Sequence, residues 1–202
     1  MPQNKNLLMI FTRNPEPGKV KKRLAAKIGD QNALKIYTFL LQRTFRVTQD
    51  LPCDKVVYYS EEIQEKDIWD NGTFQKKKQS GKDLGERMEN AFRTGFAEGY
   101  TKIAIIGSDL FDLQEEDLKK AFSGLLQTDY VIGPAQDGGY YLLGMKFLNS
   151  DLFRNKTWGT DAVLQQTLQD LKNETLTLLE ERNDIDTYED MLEHPELQQI
   201  IE

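Results

Sequence analysis

Apolar residues in this chain gather in short, nearly unbroken runs, separated by longer stretches of helical period. Leu7–Thr12 (LLMIFT), Lys55–Tyr59 (KVVYY), Ile103–Ile106 (IAII) and Asp129–Gly133 (DYVIG) are the runs. Runs this short and this apolar read as strands covered on both faces. Thr73–Gln75, Tyr140–Leu143 and Leu176–Leu179 are weaker strand candidates. Between them, Ala33, Leu34, Ile36, Tyr37, Leu40, Leu41 and Phe45 repeat with the spacing of a wide buried helix face. The same period recurs at Leu84, Met88, Ala91, Phe92 and Phe96, at Leu118, Ala121, Phe122, Leu125 and Leu126, and at Val163, Leu164, Leu168 and Leu171. Glu61–Trp69 predicts a short helix with Trp69 packed, and Lys76–Lys78 a solvated face. Asp30, and Thr160 or Asp161, are candidate caps. A last helix follows Asp184-Ile185-Asp186-Thr187, and His194 reads as exposed and incidental. Strands alternating with helices predict an α/β protein, with helices on both faces of a mostly parallel central sheet in one domain spanning 1–202.

The breaks between these elements carry the chemistry. The run at 103–106 ends at Gly107-Ser108-Asp109, which places a carboxylate at the carboxyl end of a strand, where open α/β sheets bind ligands. Such a carboxylate either caps a turn or holds Mg²⁺ against substrate phosphates. The first strand runs into Arg13-Asn14-Pro15-Glu16-Pro17-Gly18, then Lys19, Lys21, Lys22 and Arg23. If a helix begins near Lys19, its free N–H groups and these cations face one anion-sized space. Cations at a helix start oppose the helix dipole, a local conflict of the kind functional sites show. Gln79–Arg87 (QSGKDLGER) and Gly133–Gly144 (GPAQDGGYYLLG) are glycine-bearing turns, the second readable as a plain hairpin.

Composition narrows the classes. Hydrophobic residues are 39% and charged residues 29% of 202, the balance of a soluble globular protein. A net charge of -7 argues against broad nucleic-acid binding but leaves room for a small basic pocket. One cysteine, Cys53, excludes an intrachain disulfide. The apolar stretch Leu7–Phe11 is too short for a signal peptide or a membrane span, so a cytoplasmic protein is expected. A dinucleotide-dependent oxidoreductase is disfavoured, because prolines and cations follow the first strand instead of Gly-x-Gly-x-x-Gly.

Taken together, RNPEPGKVKKRLA, QSGKDLGERMENAF, GSDLFDL, GPAQDGGYYLLG, FRNKTWGTDAVLQQT and DIDTYEDM resemble the successive blocks of the radical-SAM/selenodomain-associated transferase (DUF2064-like) family. That family is similar to nucleotide-diphospho-sugar transferases and small nucleotidyltransferases. The resemblance implies a three-layer α/β/α, GT-A, Rossmann-like fold. It implies a metal-dependent transferase with a nucleotide-activated donor, first of all glycosyl transfer from a nucleotide-diphospho-sugar to an unknown small-molecule acceptor. The alternatives are a guanylyl- or cytidylyl-type nucleotidyltransferase using a nucleoside triphosphate, or a nucleotide-binding paralogue without catalysis. Arg13, Gly18, Lys19, Lys21 and Arg23 match the loop that receives phosphates. Gly81, Asp83 and Leu84 stand where relatives hold base or ribose. Asp109 matches the aspartate that holds Mg²⁺ or Mn²⁺, and Asp186 a late aspartate that completes the metal site in some relatives. Asp137, Gly138 and Gly139 match the turn on the sugar or acceptor side, with Asp137 the candidate base. Two departures stand out: Lys22 replaces a usual threonine, and Leu110-Phe111 replaces a Cys-Pro or similar pair. The second departure leaves Asp112 with either of two roles, holding the turn or touching metal.

Overall fold

The computed structural model describes residues 5–201. Its centre is a seven-stranded sheet in the order β3-β2-β1-β4-β6-β5-β7. The strands are β1 (Asn6–Thr12), β2 (Asp54–Tyr59), β3 (Gln75–Lys78), β4 (Lys102–Gly107), β5 (Tyr130–Pro134), β6 (Tyr140–Met145) and β7 (Leu176–Leu178). β6 runs against the other six. The expected mostly parallel sheet is therefore present, with one reversed strand formed by the Gly133–Gly144 hairpin.

Alternation along β1 explains the layers. Successive side chains of a strand point to opposite faces. Leu8 and Ile10 meet Tyr37 and Leu41 of α2 (Asp30–Thr48) and Leu118 and Ala121 of α4 (Glu115–Gly124) on one face. Leu7 and Met9 meet Met88, Ala91 and Phe92 of α3 (Leu84–Ala97) on the other, where α5 (Val163–Asp170) also packs through Leu164 and Leu168. A third apolar cluster lies outside this sandwich. It joins Leu24 of α1 (Lys22–Ile28) and Ile36 and Leu40 of α2 to Ile185, to Met191 of α6 (Tyr188–Leu192) and to Leu197 of α7 (Pro195–Gln199).

Several local expectations give way. Glu61–Trp69 is a loop, not a helix, because the buried Asn14 side chain takes over its backbone. Asn14 Oδ1 accepts from the Glu61 and Glu62 amides at 3.1 and 3.4 Å, and Asn14 Nδ2 donates to Glu62 O at 2.8 Å. Trp69 is packed as expected, edge-on to Phe45 and Phe74. The third strand is Gln75–Lys78, so the lysine run forms an edge strand; Lys76 pairs with Asp67 at 2.8 Å and Lys77 with Glu98 at 2.6 Å. Charged lysines on an edge discourage pairing with other chains. Gly29 precedes α2, and Asp30 is its first residue rather than its cap. Ala162 is the N-cap of α5, displacing Thr160 and Asp161. Leu126, expected inward, is 64% exposed because α4 ends at Gly124. His194 is half-buried instead of exposed, its ring 4.3 Å from that of Phe111.

Candidate functional site

Six of the seven strands point the same way, so their carboxyl ends share one edge. The segments after β1, β4, β5 and β7 therefore meet there: residues 13–21, 108–113, 135–139 and 179–187. β1 and β4 are neighbours although β2 and β3 intervene in sequence, so the gap between their ends is the topological switch point where such sheets bind ligands.

A knot of buried hydroxyls fixes this point. Tyr37 of α2 is 2% exposed. Its hydroxyl lies 3.2 Å from both Thr12 Oγ1 and Ser108 Oγ and accepts from the Arg13 amide at 2.9 Å. Ser108 Oγ donates to Thr12 Oγ1 at 3.2 Å, and Thr44 Oγ1 donates to Ser108 O at 3.1 Å. One helix thus holds the tips of both strands, directly before Arg13 and Asp109. Burial, and then the charge of Asp109, push the Tyr37 phenol above its ordinary pKa, so it stays neutral. Tyr37→Phe leaves several buried groups short of partners, and is expected to cost about 1–3 kcal/mol by urea unfolding. An unchanged midpoint would mean the knot contributes nothing.

Asp109 follows Ser108 directly. Its Oδ2 accepts from Lys21 Nζ at 2.7 Å, and Asp186 Oδ1 lies 3.8 Å from the same ammonium. Asp186 Oδ2 is also paired with Arg23. Burial would raise the Asp109 pKa, but the charge and hydrogen bond of Lys21, with Arg13 behind them, hold it below the usual aspartate value. Lys21 adopts the left-handed conformation, φ 46° and ψ 48°, uncommon for a residue with a long side chain. α1 begins one residue later, so the expected helix start near Lys19 moves to Lys22.

Beside Asp109 opens a cleft of about 250 Å³. Leu84, Met88, Trp158 and Val163 form an apolar wall; Asp109, Asp137 and Asp184 supply three carboxylates; no lysine or arginine among the described residues lines it. The Asp184 pKa is raised, first by burial and then by the like charges of Asp109 and Asp137, with Lys21 opposing. The Tyr140 hydroxyl at the cleft is buried and has no hydrogen-bond partner among the described residues. Asp184 and Tyr140 were not among the residues singled out from sequence. Asp184 stands in irregular chain two residues before Asp186, where neither helix nor strand period applies, so its direction was not legible in the sequence.

The other candidate residues divide between the cleft and its supports. Leu84, Asp137 and Gly139 line the cleft, and Asp137 Oδ1 accepts from the Gly139 amide at 2.8 Å. Gly138 has φ 83°, and a Cβ there would lie 2.3 Å from Asp161 O, so only glycine lets this turn lie against the 160–164 segment. Asp83 caps α3, accepting from the Glu86 amide at 2.9 Å. Gly81 O accepts from Arg87 Nε at 3.2 Å. Gly18 is a turn residue, and Lys19 reaches away to Glu16 and Glu61 at 2.9 and 3.0 Å. Arg13 and Lys22 are exposed. Asp112 is outside the cleft lining. Leu110 is buried, while Phe111 stacks between Phe39 and His194 with the Arg43 guanidinium 4.8 Å from its ring. Phe111 thus links the carboxyl-terminal helices to α2, while Leu110 packs in the core of the sheet.

The sequence profile of DUF2064, described as an uncharacterized protein conserved in bacteria, matches residues 42–160. The chain belongs to this family. Its fold is also that of a "putative nucleotide-diphospho-sugar transferase" from Desulfovibrio desulfuricans G20, with 32% identity, a TM-score of 0.84, and coverage of 92% of this chain and 84% of that one. The 4-diphosphocytidyl-2C-methyl-D-erythritol synthase of Anaerococcus prevotii DSM 20548 is similar at 14% identity and a TM-score of 0.61, over 97% of each chain. The inositol-1-phosphate CTP transferase of T. maritima is similar at 16% identity and 0.59, over 100% of this chain and 98% of that one. No curated protein matches the chain. This DUF2064 chain therefore has the fold of nucleotide-diphospho-sugar transferases and cytidylyltransferases. No helix among its described residues is long and apolar enough to cross a membrane.

The donor set suits one kind of metal. No three His, Cys, Asp or Glu side chains among the described residues form a ready-made cage. Mg²⁺ needs none, since it binds one or two carboxylates and completes its shell with substrate phosphates and water. Burial is the first cause of the raised Asp184 pKa, and the like charges of Asp109 and Asp137 that add to it are ones a divalent cation at Asp109 would relieve. The residues of this DUF2064 site therefore fit Mg²⁺ or Mn²⁺ held by Asp109, with Asp184 or Asp186 beside it.

Proposed function

We propose that this protein is a transferase that uses a nucleotide-activated donor with a divalent cation, transferring a sugar from a nucleotide-diphospho-sugar to a small-molecule acceptor. The observation that carries this reading is the meeting of Lys21, Asp109, Asp184 and Asp186 at the switch point, beside a cleft with one apolar wall. Exposed Arg13, whose charge acts on Asp109, and exposed Arg23, paired with Asp186, supply positive charge for the donor's phosphates. The 32% identity to a protein described as a nucleotide-diphospho-sugar transferase supports the glycosyl form of the reaction.

The chemistry asks little covalent work of the protein. When bound, Mg²⁺ or Mn²⁺ neutralises charge that grows on the leaving nucleoside diphosphate. Asp109 holds the cation side of the donor. Lys21 and Arg23 add cationic groups where the phosphates lie. Asp137, fixed by its bond to the Gly139 amide, faces the cleft as the candidate base for the acceptor hydroxyl. Leu84, Met88 and Trp158 keep water from one side of the reacting centre.

The test is incubation with Mn²⁺ and a panel of labelled nucleotide sugars and nucleoside triphosphates. Release of a nucleoside diphosphate with consumption of one nucleotide sugar is expected. Pyrophosphate release from a triphosphate would replace glycosyl with nucleotidyl transfer, and tight binding with no turnover would leave a binding protein. Tyr140 gives a finer check. A bound polar group can satisfy its lone hydroxyl, so Tyr140→Phe is expected to raise KM about 10-fold while leaving thermal stability unchanged or higher. Loss of stability with an unchanged KM would make the hydroxyl structural.

A further inference from the structure

Lys21 is buried where the other cations of its loop are exposed. Its side chain is 2% accessible, against 69% for Arg23. Its ammonium sits 2.7 Å from Asp109 Oδ2 and 3.8 Å from Asp186 Oδ1. A positive centre in contact with one carboxylate oxygen and close to a second carboxylate is the environment a divalent cation would take at this edge. Asp109 Oδ2 cannot serve both at full strength. A dication and an ammonium on the same oxygen would also repel each other across a few ångströms of partly buried space. The backbone of Lys21 is itself in a sparsely populated conformation, which surrounding contacts must maintain. Breaking the bond to Asp109 removes one of those contacts.

We propose that Lys21 is a built-in competitor for the divalent cation at Asp109. The ammonium compensates the carboxylate while no metal is bound. The cation enters by displacing it, and the released ammonium then becomes available to the donor's phosphates. Metal entry and phosphate capture are thereby coupled through one side chain. This rests on Asp109 being the metal-holding carboxylate, as in the proposed function.

The probe is Mn²⁺ alone, titrated into the full chain by calorimetry and by the paramagnetic resonance of free Mn²⁺. Lys21→Met is expected to bind Mn²⁺ at least 10-fold more tightly than the unaltered protein, and Lys21→Arg no more tightly. A second readout needs no variant: in the unaltered protein, saturating Mn²⁺ should raise the acetylation rate of Lys21 at least 5-fold, read by peptide mass spectrometry. Equal or weaker Mn²⁺ binding by Lys21→Met, or a Lys21 acetylation rate that Mn²⁺ leaves unchanged, overturns the proposal. Asp109→Asn separates the two readings. If it abolishes Mn²⁺ binding while Lys21→Met changes nothing, the metal site stands and the competition falls. If no form of the protein binds Mn²⁺ at millimolar concentration, both fall.

Discussion

Replacing Asp109 with asparagine is expected to lower metal-dependent turnover by about 10³-fold while the sheet stays folded. The activity loss follows from charge. Asparagine keeps the shape and one acceptor oxygen but cannot hold a dication against phosphate oxygens. Stability changes far less. Lys21 loses its ionic partner at 2.7 Å and keeps only a neutral acceptor there, Asp186 remains at 3.8 Å, and the lost charge is 39% exposed and partly screened by water. The expected cost is about 1–2 kcal/mol, and each kcal/mol moves the melting temperature of a chain this size by about 2–4 °C. The pH dependence carries a sign. The folded Asp109 pKa is depressed, so its pair with Lys21 stabilises fully above the ordinary aspartate value near ~3.9 and fades as pH falls through the lower folded value. The unaltered protein should therefore outlast the variant at neutral pH and lose that advantage only below the ordinary aspartate value, as seen in melting curves taken from pH 7 down through that acid window. Turnover within 10-fold of the unaltered protein would remove Asp109 from the mechanism.

The parts of the fold that could be read in advance are those decided by local apolar pattern. β1 and β4 are fully legible because both faces of each strand are buried, leaving no polar alternation to confuse the reading. α2 and α3 are legible because one face of each meets the sheet. What escaped depends on partners distant in sequence. Nothing in Glu61–Trp69 announces that Asn14, 47 residues before Glu61, will take over its backbone amides. The hairpin reading of Gly133–Gly144 already implies a reversed β6, but that β6 inserts between β4 and β5 depends on β4, which lies further back in the chain. His194 stands in a polar stretch, and the ring it packs against belongs to Phe111, in the turn after β4.

The site shows the same division. The carboxylate at the tip of β4 and the cations after β1 were visible as types of residue in the right kind of place. Their pairing was not, because 88 residues separate Lys21 from Asp109. Tyr37 fitted the helical period and so read as core, which it is; its hydroxyl knot appears only once β1 and β4 lie side by side. Asp83 and Asp137, both read as ligand-facing, also hold turns of their own backbone. For Asp137 the two roles are compatible, since Oδ1 fixes the turn and the residue still lines the cleft.

Asp184 offers the sharpest test, because stability and activity should move in opposite directions. It lies on the strap after β7, where Arg182 anchors the chain to the buried Asp117 at 2.9 Å and buried Ile185 holds the far side. The strap thus keeps Asp184 near Asp109 and Asp137 despite their repulsion. Its folded pKa is raised, so ionisation costs stability at neutral pH, and the cost is relieved as pH falls through the folded value. This is the reverse of Asp109. Asp184→Asn removes the ionising group, and the metal-free protein should melt higher at pH 7, by about 2–4 °C for each kcal/mol of relieved repulsion. The gain should shrink as pH falls through the raised folded value, where the native carboxyl takes up its own proton. Turnover with Mn²⁺ should fall about 10²-fold, because the repulsion between these carboxylates is what a bound dication would use. A variant that melts lower at pH 7 would show that Asp184 is held by contacts rather than strained by charge. A variant that melts higher but keeps full turnover would leave the metal to Asp109 and Asp186. Strain kept at a site, at the expense of the empty protein's stability, is what a cation-dependent function would select.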